Sequence, residues 1–441
     1  MARVVRFRVL DGIAVVTLDA PPVNALSPEV RAGLWEAFGR IADNDDISAA
    51  VLVAEGALFS AGADIREFDA TPVPPSLSQL CSRIEDCTKP VVAGLHGQVL
   101  GGGAELALAA HYRLATEDVR FGLPDVSLGL VPGGGGTQRL PRLIGPERAL
   151  QLLISTQSID SAAAHQIGVL DGKVDGDLTS AVVRFAQGLV AAGKGPRPTR
   201  KDRRFLKDGR AYQTQVTKAR AALAQNPLHA PQRVIDCVEA AALLPFEAGL
   251  ALEEDALARC LAHPQSIALR HVYVAERQAD SALLDREGAA FKPVEPMGKS
   301  AVQRLRTALR SAADDLVSLG HADPARIDGA LIDYGFRKGP YGGKDAARDA
   351  ALARRLVAAM MVEGAGLVEE GAVQRPSDVD ALAVHGMGFP RRQGGPMRAA
   401  QTMGLLQLRQ DMREWESDSA RWAAPELLNR AVLEAGGFDA V

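Results

Sequence analysis

The sequence predicts an α/β fold over its first part and an all-α region after it. Three observations carry that reading. Strand-like and helix-like stretches alternate over residues 1–175, the order that builds layered α/β folds. Strand signals fade after about residue 190. The final stretch then repeats a helical pattern on itself.

The elements follow in order. VVRFRVL and IAVVTLD flank Asp11-Gly12, which predicts a β-hairpin. Ser27-Pro28-Glu29 opens a helix, with serine as N-cap, proline at the first helical position and an acid in the first turn. AAVLVAEG (49–56) and KPVVAGLHG (89–97) read as buried strands, GAELALAAH as a helix and DVRFGLP as a short strand. KGPRPTRKDRRFLKDGR (194–210) reads as a basic surface connector, with a phosphate-binding patch as the alternative. Helical patterns fill 231–262, including the acidic ALEEDALARCLAH. DREGAAFKPVEPMGKSA (285–301) reads as a linker. Beyond it, RLRTALRSAADDLVSLG (304–320) aligns with RLVAAMMVEGAGLVEEG (355–371), and RIDGALIDYGF with DVDALAVHGMGF. Two similar helical subdomains, 302–345 and 346–441, packed on each other, are expected.

Composition narrows the function. The chain has 441 residues, a net charge of −4 and 47% hydrophobic residues, which supplies material for buried cores and no global reason to bind nucleic acid. The four cysteines form no C-x-x-C pair and sit in no His-rich cluster, so free thiols are expected and no metal site. No run of about 20 apolar residues spans a membrane, the N-terminus fails as a signal peptide, and cytoplasm is the default compartment.

GLPDVSLGLVPGGGGTQRLP (122–141) invites a phosphate-loop reading. The dinucleotide fingerprint G-x-G-x-x-G fails: its third glycine falls on Gln138 from Gly133, on Arg139 from Gly134 and on Leu106 from Gly101. A Walker loop fails because Pro293 stands where Gly298-Lys299-Ser300 requires a glycine. The remaining use of glycine is to bring backbone N–H groups close to a ligand or to a helix start. Leu100-Gly101-Gly102-Gly103-Ala104-Glu105 and SAGADI (60–65) each read as a strand-to-helix turn. Two converging N–H groups make an oxyanion hole, and Glu105 and Asp125 are the neighbouring acids that can carry protons.

These residues resemble the crotonase (enoyl-CoA hydratase/isomerase) superfamily over roughly 1–190. The matching stretches are FSAGADIREF, KPVVAGLHGQVLGGGAELALAAHYRLA and FGLPDVSLGLVPGGGGTQRLPRLIG. IDYGFRKGP and HGMGFPRRQGGPM resemble the helical domain of 3-hydroxyacyl-CoA dehydrogenases, so the order resembles the multifunctional β-oxidation enzymes. The resemblance implies a crotonase spiral fold of repeated ββα units over 1–190, crotonase C-terminal helices and a linker helix over 191–284, and the linker and helical subdomains already named. Those enzymes carry a dinucleotide-binding domain between the two parts, and here only 285–301 stands in its place. No NAD-dependent activity is therefore expected.

The resemblance also assigns roles. The N–H groups of Ala63 and Gly102 would hold the thioester oxygen of an acyl-CoA. Ala61 would line the adenine pocket, Gly133 would help place a water, and Glu105 and Asp125 fall on the two catalytic acids. The second is glutamate in typical hydratases. Coenzyme A enters as part of the substrate, with no other cofactor. Chain coverage like that of the multifunctional enzymes implies a monomer. Each residue has a blander reading beside this one: Glu105 as a helix-dipole acid, Asp125 as a turn residue after Pro124, Asp64 as a helix cap, and Arg66 as a solvated arginine rather than a CoA-phosphate contact. His96, His111 and His385 read as structural.

The chemistry turns on Asp125. Hydration of a 2-enoyl thioester needs two acids around one water, whereas shifting a 3-enoyl double bond needs one carboxylate to move a proton from C2 to C4. A missing methylene withdraws a carboxylate by roughly 1.5 Å, and a misplacement of about 1 Å can cost on the order of a hundred-fold. Δ3-Δ2 isomerisation is the favoured expectation, with hydration as the alternative. A catalytically weak acyl-CoA-binding scaffold is the third reading.

Overall fold

A computed structural model describes residues 4–287 and 290–441. The chain divides into two compact units, Met1–Leu261 and Ala262–Val441.

The first unit is α/β. Val5–Leu10 and Ile13–Leu18 pair antiparallel. Asp11 and Gly12 both take positive φ, 47° and 77°, the geometry of the tight turn that Asp-Gly favours. Ile13–Leu18, Ala49–Ala54, Val91–Leu95, Tyr112–Ala115 and Gly172–Lys173 then continue the sheet in parallel. Ile13–Leu18 and Val91–Leu95 are buried throughout, as parallel strands covered on both faces should be. Gln98–Leu100, Arg120–Gly122 and Ile159–Asp160 form a second, three-stranded sheet. Two successive strands, Val91–Leu95 and Gln98–Leu100, thus enter different sheets before the helix Gly102–Ala109. Ser27 caps the helix Pro28–Asp43 by accepting the Val30 N–H.

The basic connector is anchored rather than simply solvated. Arg200 donates its backbone N–H and Nε to the buried Glu85. Arg197 pairs with Asp171 at 2.5 Å and donates to the His111 carbonyl. These two cations are committed to the protein, which leaves the phosphate-patch alternative without them.

The second unit is helical apart from one hairpin. Residues 285–301 do not form an irregular linker: Leu284–Glu287 pairs with Ala290–Pro293, and the helix Met297–Ser318 begins soon after. The break between units falls earlier, after Leu261. The reason is the helix Pro264–Gln278, expected with the first part, whose His271 Nε2 meets Asp380 Oδ2 at 2.7 Å.

The internal repeat is visible in matching aspartates. Asp328 accepts the N–H groups of Tyr341 and Gly343. Asp380 accepts those of Met397 and Arg398. Met297–Ser318, Ala350–Glu369 and the C-terminal helices contribute to one continuous apolar cluster, so the two halves share a core. No helix among the described residues is long and apolar enough to cross a membrane.

Candidate active site

Two strand-to-helix turns dock on each other. Leu100 N–H donates to the Ser60 carbonyl and Gly101 N–H to the Gly122 carbonyl. Ser60 Oγ, fixed on the Asn24 carbonyl, accepts the Gly62 N–H. The turns are so close that a Cβ on Gly103 would lie 2.7 Å from Ser60 Cβ, and one on Gly102 would lie 3.3 Å from Ala63 N. Gly101 sits at φ 50°, a region glycine enters without penalty. Gly102 heads the helix Gly102–Ala109, so its N–H is one of the orphan donors of a helix start. Ala63 is exposed. The predicted oxyanion-hole pair is therefore brought together.

Gly102→Ala tests this directly. The added methyl would lie 2.8 Å from Leu77 Cδ2 and crowd Ala63 N. The expected loss in kcat is about 10²–10³-fold, the cost of one misplaced oxyanion donor, measured on the enoyl-CoA substrate that the resemblance implies.

Glu105 lies in the first turn of the same helix and is 1% exposed. Its Oε1 accepts the N–H groups of Gly134 and Gly136, both at 2.7 Å. Its Oε2 accepts no hydrogen bond among the described residues. The two glycines hold one oxygen in place and leave the other without a donor. Burial raises the Glu105 pKa well above the usual range, helped by the charges of Glu253 and Asp125 and opposed by the two N–H groups.

Asp125 follows Pro124 and packs against the Gly101 backbone, with Oδ1 3.7 Å from where a Gly101 Cβ would stand. Its Oδ2 is buried without a partner. Burial pushes its pKa to about 6. An unpartnered buried carboxylate oxygen is costly, and a position beside a reacting substrate is one account of why it persists.

The remaining assigned residues are more dispersed. Ala61 donates its N–H to the Val23 carbonyl and is exposed beside the first turn. Gly133 leads the glycine run, where a Cβ would collide with Leu257. Asp64 is the cap expected of it, accepting the Arg66 N–H at 3.0 Å. Arg66 extends outward at 84% side-chain exposure and pairs with Asp64 at 2.6 Å. His111 is structural, accepting the Val91 N–H and meeting the Glu85 carbonyl. His385 meets Glu276 at 2.9 Å. The four cysteines are free and buried.

One acid was missed. Glu253, on the helix Phe246–Leu261, is 1% exposed. It accepts the N–H groups of Gly135 and Thr137 and the Thr137 hydroxyl. Burial pushes its pKa to about 7, against the three donors that favour its charge. The signal was in the spacing: Gly249, Glu253, Ala256 and Cys260 form one buried stripe, and a carboxylate centred in such a stripe demands a partner. The surrounding acids Glu254 and Asp255 disguised it as part of a solvated face.

These raised carboxyls set a pH dependence of stability. A carboxyl that keeps its proton longer in the fold than in the unfolded chain makes stability fall as pH rises between the two pKa values. Buried His111, held below its ordinary 6.5 by loss of solvation, acts the other way, but only up to that pH. Between pH 6.5 and 8, Glu105 and Glu253 therefore dominate among these groups. Glu253 alone is expected to lower the unfolding free energy by on the order of 1 kcal/mol across that window, with Glu105 acting in the same direction, read from urea unfolding of the first unit's signal at each pH.

The geometry places two acids beside two backbone donors, and comparison with known proteins decides its family. Residues 8–227 match the family model described as enoyl-CoA hydratase/isomerase. A probable enoyl-CoA hydratase of Bacillus subtilis is 39% identical over 194 residues, 42% of this chain and 74% of that protein. This chain belongs to the enoyl-CoA hydratase/isomerase family. A peroxisomal bifunctional enzyme of Danio rerio is 35% identical over 312 residues, 70% of this chain and 43% of the zebrafish protein. The chain thus spans less than half of that longer relative. A crystal structure of an enoyl-CoA hydratase from Geobacillus kaustophilus aligns at 27% identity with 62% of this chain and 95% of its own, with a TM-score of 0.39. Within this enoyl-CoA hydratase/isomerase chain, the α/β unit carries the crotonase fold and the helical region follows it.

Proposed function

We propose that this chain isomerises 3-enoyl-CoA to 2-enoyl-CoA, with hydration of 2-enoyl-CoA as a second activity. One observation carries the reading. Glu105 is held by Oε1 with Oε2 unbonded, while the second acid is the shorter Asp125. With the thioester oxygen between the Ala63 and Gly102 N–H groups, Glu105 takes the proton from C2. The electron pair moves into a dienolate whose charge rests on that oxygen. The proton returns at C4, leaving the double bond between C2 and C3, with no net change in atoms. Hydration adds water across that bond and asks Asp125 to reach the same water as Glu105. The probable hydratase among the relatives supports keeping this second activity.

The same reading includes no hydroxyacyl-CoA dehydrogenase activity. It rests on the failed fingerprints and on residues 285–301, which stand where the longer multifunctional enzymes carry a dinucleotide-binding domain. A monomer in the cytoplasm completes the proposal, although relatives from animals and plants are named as peroxisomal. The test offers purified protein 3-enoyl-CoA, 2-enoyl-CoA and 3-hydroxyacyl-CoA with NAD in separate assays. Isomerisation exceeding hydration is the expected result. Hydration alone would reverse the order of the two activities, and robust NADH formation would overturn the dehydrogenase part.

A further inference from the structure

Glu105 and Glu253 grip the same glycine run from alternate residues. Gly134 and Gly136 donate to Glu105, and Gly135 and Thr137 donate to Glu253. The run leads into the helix Gly136–Ile144, whose start is the only part of that helix with N–H groups to spare. From the other side, Arg139 Nη1 donates to the Gly134 carbonyl at 2.6 Å while its remaining nitrogens hold Glu85. A methyl at Gly135 would strike Arg139 and one at Gly136 would lie 2.8 Å from Glu105 Oε1. The run has one conformation because two carboxylates and a guanidinium fix it.

We propose that Glu253 is a positioning residue for the acyl-CoA proton transfer: its carboxylate aligns the Gly134 and Gly136 donors on Glu105 and sets the acidity of Glu105 through the shared run. The inference rests on the proton-transfer role proposed for Glu105. Its chemistry is specific. Thr137 Oγ accepts from Gln138 Nε2 at 3.0 Å, so the hydroxyl proton is directed at Glu253. Three donors on one buried carboxyl support its charged form against burial, so Glu253 is charged above about pH 7. A charge there disfavours a second charge on Glu105. Glu105 therefore tends to hold a proton, and Oε2, which no donor occupies, is where it sits. The titratable groups facing Glu105 are Asp125 beside Gly101, Glu253 from Phe246–Leu261 and Cys81 from Leu77–Glu85, with Arg139 and Glu85 beyond Cys81. Arg139 is the cation of the set and is bound to Glu85.

The test is the pH profile of kcat/KM for 3-enoyl-CoA in the parent, Glu253→Gln, Thr137→Val and Leu257→Ala. The base must be ionised to take the C2 proton, so activity rises as pH passes the Glu105 pKa. Removing the neighbouring charge lowers that pKa. In Glu253→Gln the rising limb is expected to move to lower pH by about one unit, with KM within about two-fold. Thr137→Val removes a donor that supports the Glu253 charge and moves the limb the same way by less. Leu257→Ala loosens the same helix without changing charge and lowers kcat with the limb unmoved. Difference infrared titration of the protonated carboxyl band, assigned by its loss in Glu105→Gln, gives the same shift without turnover. It therefore separates this inference from the assigned reaction. An unmoved limb and band in both Glu253→Gln and Thr137→Val would show a merely structural role and overturn the proposal. If Glu253→Gln does not fold, Thr137→Val decides.

Discussion

Glu105→Gln is expected to lower kcat by about 10²–10⁴-fold for both 3-enoyl-CoA and 2-enoyl-CoA, the usual worth of a positioned acid or base. KM should stay near the parent value, because the role proposed for Glu105 is at the reacting carbon and not on the CoA moiety. The variant is chosen for its shape. A glutamine oxygen at Oε1 keeps accepting the Gly134 and Gly136 N–H groups, so the glycine run keeps its support. The amide nitrogen falls at Oε2, where the carboxylate has no donor to lose. Removing a buried carboxyl whose pKa is pushed upward also removes an ionisation the fold resists, so the melting temperature should not fall. Glu105→Ala would strip two buried N–H groups of their acceptor, at about 1–3 kcal/mol each, and would confuse stability with catalysis. Steady-state kinetics beside a thermal melt separates the two. A kcat within about ten-fold of the parent would mean that Glu105 is a helix-dipole acid and no more.

Asp125→Glu is expected to raise 2-enoyl-CoA hydration by up to about a hundred-fold while changing isomerisation by a few-fold. Hydration is limited in this account by reach. The aspartate lies against the Gly101 backbone with a buried, unpartnered Oδ2, and the extra methylene would carry a carboxylate roughly 1.5 Å further towards the water that Glu105 shares. Isomerisation uses Glu105 alone, so it gains nothing from the longer acid. Asp125→Ala separates the roles from the other side: hydration is lost and isomerisation persists. The ratio of kcat/KM for the two substrates is the quantity to measure. If Asp125→Glu leaves hydration unchanged and Asp125→Ala leaves both activities intact, Asp125 is a turn residue.

Much of this was legible because the signals are local. Asp11-Gly12 specifies its hairpin through the positive φ that both positions adopt. Ser27-Pro28-Glu29 specifies a helix start through one side-chain oxygen and one fixed φ. The oxyanion-hole turns were legible because glycines between a strand and a helix have few other uses, and Glu105 followed from its place in the helix's first turn. Glu253 was not, because its partners lie more than a hundred residues away in sequence. Nor was the anchoring of the basic connector, where Arg200 meets Glu85 across a similar distance. The hairpin at Leu284–Glu287 and Ala290–Pro293 was hidden by strands that read LDRE and AFKP, with little apolar alternation to mark them. The packing of the two helical repeats on one another was legible from their matching elements. The repeat also fixes matching aspartates, Asp328 and Asp380, each accepting two backbone N–H groups.

The central claim is that one buried carboxylate moves a proton on an acyl-CoA held by two backbone N–H groups. The most direct measurement is the product formed from 3-enoyl-CoA by the parent and by Glu105→Gln, followed by the absorbance of the conjugated thioester and by chromatography. The account predicts 2-enoyl-CoA from the parent at a rate above that of hydration, and almost none from a folded Glu105→Gln. Conversion that survives in Glu105→Gln, or a well-folded parent that converts neither 3-enoyl-CoA nor 2-enoyl-CoA, would contradict it.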